Sequence, residues 1–151
     1  MWWALFVFEL GTDGPSRILV AIDNSDTSLR AGAYAAGLAR RQGSHIICLF
    51  VGEINPLVAS MPAAAGAAVQ MNHAIAEQIR AEIKAQAPRL GLEITFLERS
   101  GDPFTEIVRI ADELRVDAVI VGASTSGGHR WMGSIASRLV KIARWPVTVV
   151  P

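Results

Sequence analysis

Residues 116–151, VDAVIVGASTSGGHRWMGSIASRLVKIARWPVTVVP, constrain the fold more than any other stretch. Ala118 to Val121 is a near-continuous apolar run, rich in β-branched residues and ended by Gly122. A run without polar alternation suits a strand covered on both faces, as in a parallel sheet. Ala123 to Gly128 then offers small residues and free amides, and Gly133 and Ser134 open a helix with Ile135, Leu139 and Ile142 on one face. Pro146 stops that helix and starts a further strand, Val147 to Val150. A strand leading through a small-residue loop into a helix N-terminus is a general anion cradle. Its exposed amides and the positive end of the helix dipole favour phosphate.

The same alternation recurs upstream. Arg17 to Ile22 (RILVAI) reads as the first core strand, ending at Asp23. Asn24 to Ser28 is full of N-cap candidates for an alanine-rich helix that runs to about Gln42, with Gly43 as its C-terminal cap. Ser44 to Val51 is the second strand, and Gly52 to Met61, with Asn55-Pro56, reads as loop. The stripe Ile75, Ile79, Ile83 predicts a helix from about Ala64 to Ala87, followed by a turn at Pro88 to Gly91. Leu92 to Arg99 alternates as an edge-like strand would. In Gly101-Asp102-Pro103 the aspartate can cap a helix and proline suits its first position.

This order predicts an α/β fold, a doubly wound five-stranded parallel sheet with helices on both faces. Residues 17–151 form that domain, and 1–16 are an N-terminal extension whose stretch Ala4 to Glu9 can add an edge strand. Ligands of such sheets sit beyond the carboxyl ends of the strands, where the connection order reverses. Asp23, Val51 and Gly122 all stand at carboxyl ends.

Composition removes several classes of function. Lys plus Arg and Asp plus Glu both number 14, so no basic bias argues for nucleic acid. No apolar run approaches the roughly 20 residues that span a bilayer. MWWALFVFEL has no basic start and is followed by no small-residue cleavage site, so it is not read as an export signal. The single cysteine, Cys48, excludes an internal disulfide and fits a reducing compartment and inert core packing. A cytoplasmic protein is expected. The aromatic N-terminus, with Trp2, Trp3, Phe6 and Phe8, carries more apolar surface than a monomer leaves in water.

Individual residues carry less. Asp23 can contact a ligand or cap the following helix. Ser124, Thr125 and Ser126 offer hydroxyls to phosphate or ribose, or form a polar loop. Arg138 can pair with an anion or lie solvated. His129 has no second histidine or cysteine nearby, and His45 and His73 are read as structural or solvated, so no metal site is expected. Trp145 anchors the last strand or a subunit contact. No nucleophile elbow, zinc-protease motif, Cys-His pair or full Walker loop is present, so no catalytic residue is assigned.

Taken together, RILVAIDNSDTSLRAGAYAAGLARRQGSHI, Gly101-Asp102-Pro103, VDAVIVGAS and Gly133-Ser134 with the closing WPVTVVP resemble the universal stress protein family over nearly all of Arg17 to Pro151. The resemblance implies a five-stranded parallel α/β sandwich and a homodimer formed through the last strand (Val147 to Val150); the aromatic N-terminus, read from its own residues, is covered by the domain or by a second subunit, or is a frayed terminus. The resemblance also implies, in some members, an adenine nucleotide such as ATP or AMP, with Mg²⁺ accompanying it and at most slow ATP hydrolysis. Other members are dimeric interaction proteins without nucleotide. The implied contacts lie between the first and fourth core strands: Ala21, Asp23, Val51, Val121, Gly122, Ser124, Thr125, Gly127, Gly128, Gly133, Ser134 and Ile135. This chain departs from the family's phosphate motif in two ways. Thr125 stands where the second glycine belongs, and Gly133 follows Gly122 by eleven positions, two fewer than in the pattern. Gly127 and Gly128 restore flexibility at a shifted place.

Overall fold

A computed structural model describes residues 14–124 and 133–151. The strand expected at Ala4 to Glu9 lies outside them. Five strands, β1 (Arg17–Ala21), β2 (His45–Gly52), β3 (Ile94–Ser100), β4 (Ala118–Gly122) and β5 (Val147–Val150), form one sheet in the order β3-β2-β1-β4-β5. Every neighbouring pair is parallel. The chain therefore builds outward from β1 to β3, crosses back, and builds the other way through β4 to β5. Between β1 and β4 the order reverses.

Burial on both faces explains the unbroken apolar runs. In β1, Ile18 and Val20 point into one core, with Ala31, Ala35 and Ala39 of α1 (Asp26–Gln42) and Ala76 and Ile79 of α3 (Pro62–Leu90). Leu19, between them, points into the other, with Ile107 and Ile110 of α4 (Pro103–Glu113) and Ala136 and Leu139 of α5 (Ser134–Ile142). Ala31, Ala35 and Ala39 recur every fourth residue and are buried, so that helix lies close against the sheet. Asp117 fixes the entry to β1, accepting hydrogen bonds at 2.9 Å from the backbone amides of both Ser16 and Arg17.

Two local expectations change. The stretch read as loop after β2 contains a short helix, α2 (Pro56–Ala59), started by Asn55, whose side chain accepts from the Leu57 amide at 2.8 Å. Asn-Pro is a turn signal and also a cap followed by a proline at the first helical position, and here the second use wins. Pro88 lies inside α3 rather than beyond it. The end of that helix is set by Gly91, whose left-handed backbone (φ 64°) turns its amide back to the carbonyls of Ala87 and Pro88. Pro62 takes the first position of α3, two residues before the expected start.

Cys48 is buried in the core of β2, and burial pushes its thiol up to about 12. The folded protein should therefore be inert to a thiol-specific chromogenic reagent at pH 8, reacting only as it unfolds in denaturant. Rapid labelling of the native protein would show that the β2 core opens easily.

Candidate functional site

A cavity of about 350 Å³ opens at the carboxyl ends of β1 and β4, where the strand order reverses. That volume is at the small end of the roughly 300–1,000 Å³ typical of ligand pockets. Ala21, Asp23, Val51, Val121, Gly122, Ser124, Gly133, Ser134 and Ile135 all line it. The remaining three candidates, Thr125, Gly127 and Gly128, lie outside the described residues.

One wall is the turn from β1 into α1. Asp23 does not cap the helix: its carboxylate accepts the Ser25 amide at 2.9 Å, and Ser25 is the cap, accepting from the Ser28 amide at 3.3 Å. The turn's other hydroxyls are committed too. Ser28 donates to the Ser25 carbonyl at 2.9 Å, and Thr27 donates to the Ala123 carbonyl at 2.7 Å. Burial raises the Asp23 carboxyl, but hydrogen bonds from Ser25, from Ser28 and from its own backbone outweigh that and hold it below the usual range. Asp23 is therefore an ionised acceptor at neutral pH, on a residue open to solvent.

The opposite wall is the start of α5. Its N-cap is Gly133, which has no side chain with which to cap it. The first amides of a helix lack intrahelical partners, and a glycine cap brings no side chain of its own to them, whereas Ser25 takes up the Ser28 amide at the start of α1. Gly133 sits tightly: a Cβ there would come 2.6 Å from Cβ of Ser124.

Gly122 has a more structural part than phosphate approach alone. A Cβ on it would meet the backbone of α1's first turn, 2.6 Å from the Thr27 carbonyl carbon and 2.7 Å from the Ser28 amide nitrogen. Absence of a side chain lets β4 and the start of α1 touch.

Several lining residues escaped the sequence reading. Glu53, just beyond β2, and Asn72, on α3, stand on the cavity wall, with the Asn72 amide donating to the Glu53 carbonyl at 3.3 Å. Pro103 and Ile107 of α4 close the far side. Nothing in their local sequence marks them. They reach the cavity because α3 and α4 flank the sheet near the carboxyl ends of the strands. The Arg138 guanidinium stacks 3.7 Å over the Phe104 ring. Trp145 is half-buried against the α4–α5 core and anchors β5.

Fold and cavity define a doubly wound α/β domain with a ligand cleft at its topological switch point. The sequence profile of the Universal stress protein family matches residues 15–151, and the chain belongs to that family. Universal stress protein MJ0531 of Methanocaldococcus jannaschii is 28% identical over 139 residues, which cover 89% of this chain and 81% of that protein. Universal stress protein UspA from Lactobacillus plantarum has the same fold, with a TM-score of 0.72 at 22% identity, over 90% of this chain and 97% of that one. An Arabidopsis thaliana family protein, solved with AMP bound, superposes with a TM-score of 0.64 at 20% identity, over 90% of this chain and 91% of that one. No helix among the described residues is long and apolar enough to cross a membrane.

Replacing Gly122 by Ala should force β4 and α1 apart and cost about 1–3 kcal/mol, the usual range for overpacking. Urea unfolding measures this directly. An unchanged midpoint would show that the β4–α1 contact yields without cost.

Proposed function

We propose that this protein is a cytoplasmic regulatory member of its family that binds an adenine nucleotide in the cleft between β1 and β4. The observation that carries the reading is the contrast between the two helix starts on the cavity. The start of α1 is capped by the side chain of its own N-cap serine, whereas the N-cap of α5 is a glycine with no side chain to give. An anion gains most at the second. Asp23, an ionised acceptor on the facing wall, suits the hydroxyls of a ribose. The described lining residues carry two carboxylates, Asp23 and Glu53, and no cationic side chain. A phosphate entering with Mg²⁺ is better accommodated there than a bare one. AMP bound to the Arabidopsis relative supports the same ligand class.

Regulation follows if the bound and free forms differ in a surface they present, since a ligand shifts an equilibrium only by favouring one state. The surface we assign to self-association is β5. Among the described residues it is an edge strand, paired with β4 on one side. Carbonyls of Pro146 and Val150 accept from Val119 and Ala123, so alternate residues Val147 and Val149 turn their backbone groups away from β4. A second copy adding its own β5 there would satisfy them.

A second reading is a dimeric interaction protein that takes no nucleotide. It is favoured by Thr125 in place of glycine and by the short interval from Gly122 to Gly133.

Titration of the folded protein with AMP and ATP, with and without Mg²⁺, decides between the two. Saturation below millimolar concentration is expected, and Gly133→Val should weaken it by about tenfold or more, roughly 1.4 kcal/mol per decade. No saturable binding at millimolar nucleotide leaves only the second reading. Equal affinity in Gly133→Val removes the start of α5 from the site.

Val149→Pro deletes an amide that faces away from β4, so the fold should survive and the dimer should not. Sedimentation of the variant, with circular dichroism as the folding control, is expected to show a monomer. A dimer of wild-type strength would place the interface elsewhere.

A further inference from the structure

On the outer flank of α3, away from the nucleotide cleft, three metal-competent side chains meet. His73 and Glu77 stand four residues apart and share one helix face. Glu98, on the edge strand β3, faces them, with its Oε1 3.1 Å from Nδ1 of His73. One donor atom from each of the three lies within 4.8 Å of the others.

Arg80 organises the group. Its Nη2 lies 3.4 Å from Oε2 of Glu98 and its Nε 3.3 Å from Oε1 of Glu77, while its guanidinium sits 5.1 Å from the centre of the Phe96 ring. The arginine thus holds one oxygen of each carboxylate, while the other oxygen of Glu98 meets His73. Outer-shell partners of this kind orient ligating carboxylates. They also reduce the net charge of the group from minus two to minus one, which still attracts a dication.

We propose that His73, Glu77 and Glu98 bind a borderline divalent transition metal of the Zn²⁺ type, tying α3 to β3. An imidazole nitrogen with two carboxylate oxygens is a donor set for such ions, with bond lengths of about 2.0–2.2 Å. Reaching those lengths requires the three donors to close by little more than an ångström, which exposed side chains do by small rotations. Hard ions such as Mg²⁺ prefer all-oxygen shells and keep their water, so the imidazole selects against them. Sequence spacing does not show this site, because the third donor comes from another element, brought in by the pairing of β3 with β2.

The test uses full-length protein stripped with chelator and titrated with ZnCl₂ by calorimetry, with melting temperature followed in parallel. A single saturable Zn²⁺ per chain is expected, together with a rise in melting temperature, because the ligands join two elements. MgCl₂ should give neither. His73→Ala, and separately the isosteric pair Glu77→Gln with Glu98→Gln, should abolish both responses at the Zn²⁺ concentration that saturates the wild type. These positions are solvent-exposed or half-exposed, and circular dichroism confirms folding. His45→Ala, which removes the histidine that begins β2, should leave both unchanged. AMP added to saturation should not displace the metal, which separates this site from the cleft. Zn²⁺ binding of equal strength in His73→Ala, or none short of millimolar in the wild type, overturns the assignment.

Discussion

The cleft exists because Gly122 has no side chain. β4 joins the sheet beside β1 at the point where strand order reverses, and α1 begins at the end of β1. Both chains need the same space. With glycine at 122 the backbone of β4 rests on the first turn of α1, and the Thr27 hydroxyl reaches over to the Ala123 carbonyl at 2.7 Å. That seam is satisfied: among the described residues no buried side-chain nitrogen or oxygen lacks a partner. Closing it brings the starts of α1 and α5 onto one cavity, and their different caps then make the two walls chemically unequal.

Inequality of the walls constrains what the cleft selects. A helix start carries roughly half a unit of positive charge, less than the full negative charge of one carboxylate. An inorganic anion placed between them would be attracted by one wall and repelled by the other. A nucleotide separates its two chemistries along its length, offering hydroxyl donors at one end and phosphate oxygens at the other. On the reading proposed above, the cavity's polarity favours an elongated, two-ended ligand over a small symmetric one.

The alternation of strands and helices and the covering of the sheet on both faces were legible in the chain because the physics that sets them is local and repetitive, whereas the strand order β3-β2-β1-β4-β5 depends on which strands meet in space. ILVAI after Arg17, and AVIVG, carry no polar residue since each strand is covered on both sides, and Ala31, Ala35 and Ala39 advertise a helix pressed on a sheet. Asp23, Val51 and Gly122 were found by their place at strand ends. Other features depend on geometry that no window of sequence contains. Asn72 enters the cleft only because α3 passes it, and Glu98 meets His73 only because β3 pairs in one register with β2. The choice between Asp23 and Ser25 as cap was open for a similar reason: both have the right chemistry, and the path of the turn decides. Asn-Pro before α2 failed in the opposite sense, since one dipeptide serves two structures.

α3 connects these observations. It is 29 residues long, yet only Ala76, Ile79 and Ala87 are buried, and Val69 and Met71 near its start are more than half exposed. A helix so lightly buried must be held by other means. Among the described residues its polar ties to β3 all pass through Glu98, by way of His73 and Arg80. Exposed ion pairs of this kind are each worth about 0–1 kcal/mol, so the fastening is weak as it stands. Asn72, the cleft-lining residue, is the immediate neighbour of His73. Whatever strengthens the hold of Glu98 on this face of α3 also steadies the wall that Asn72 and Ile75 present to the cleft, since one rigid helix carries both.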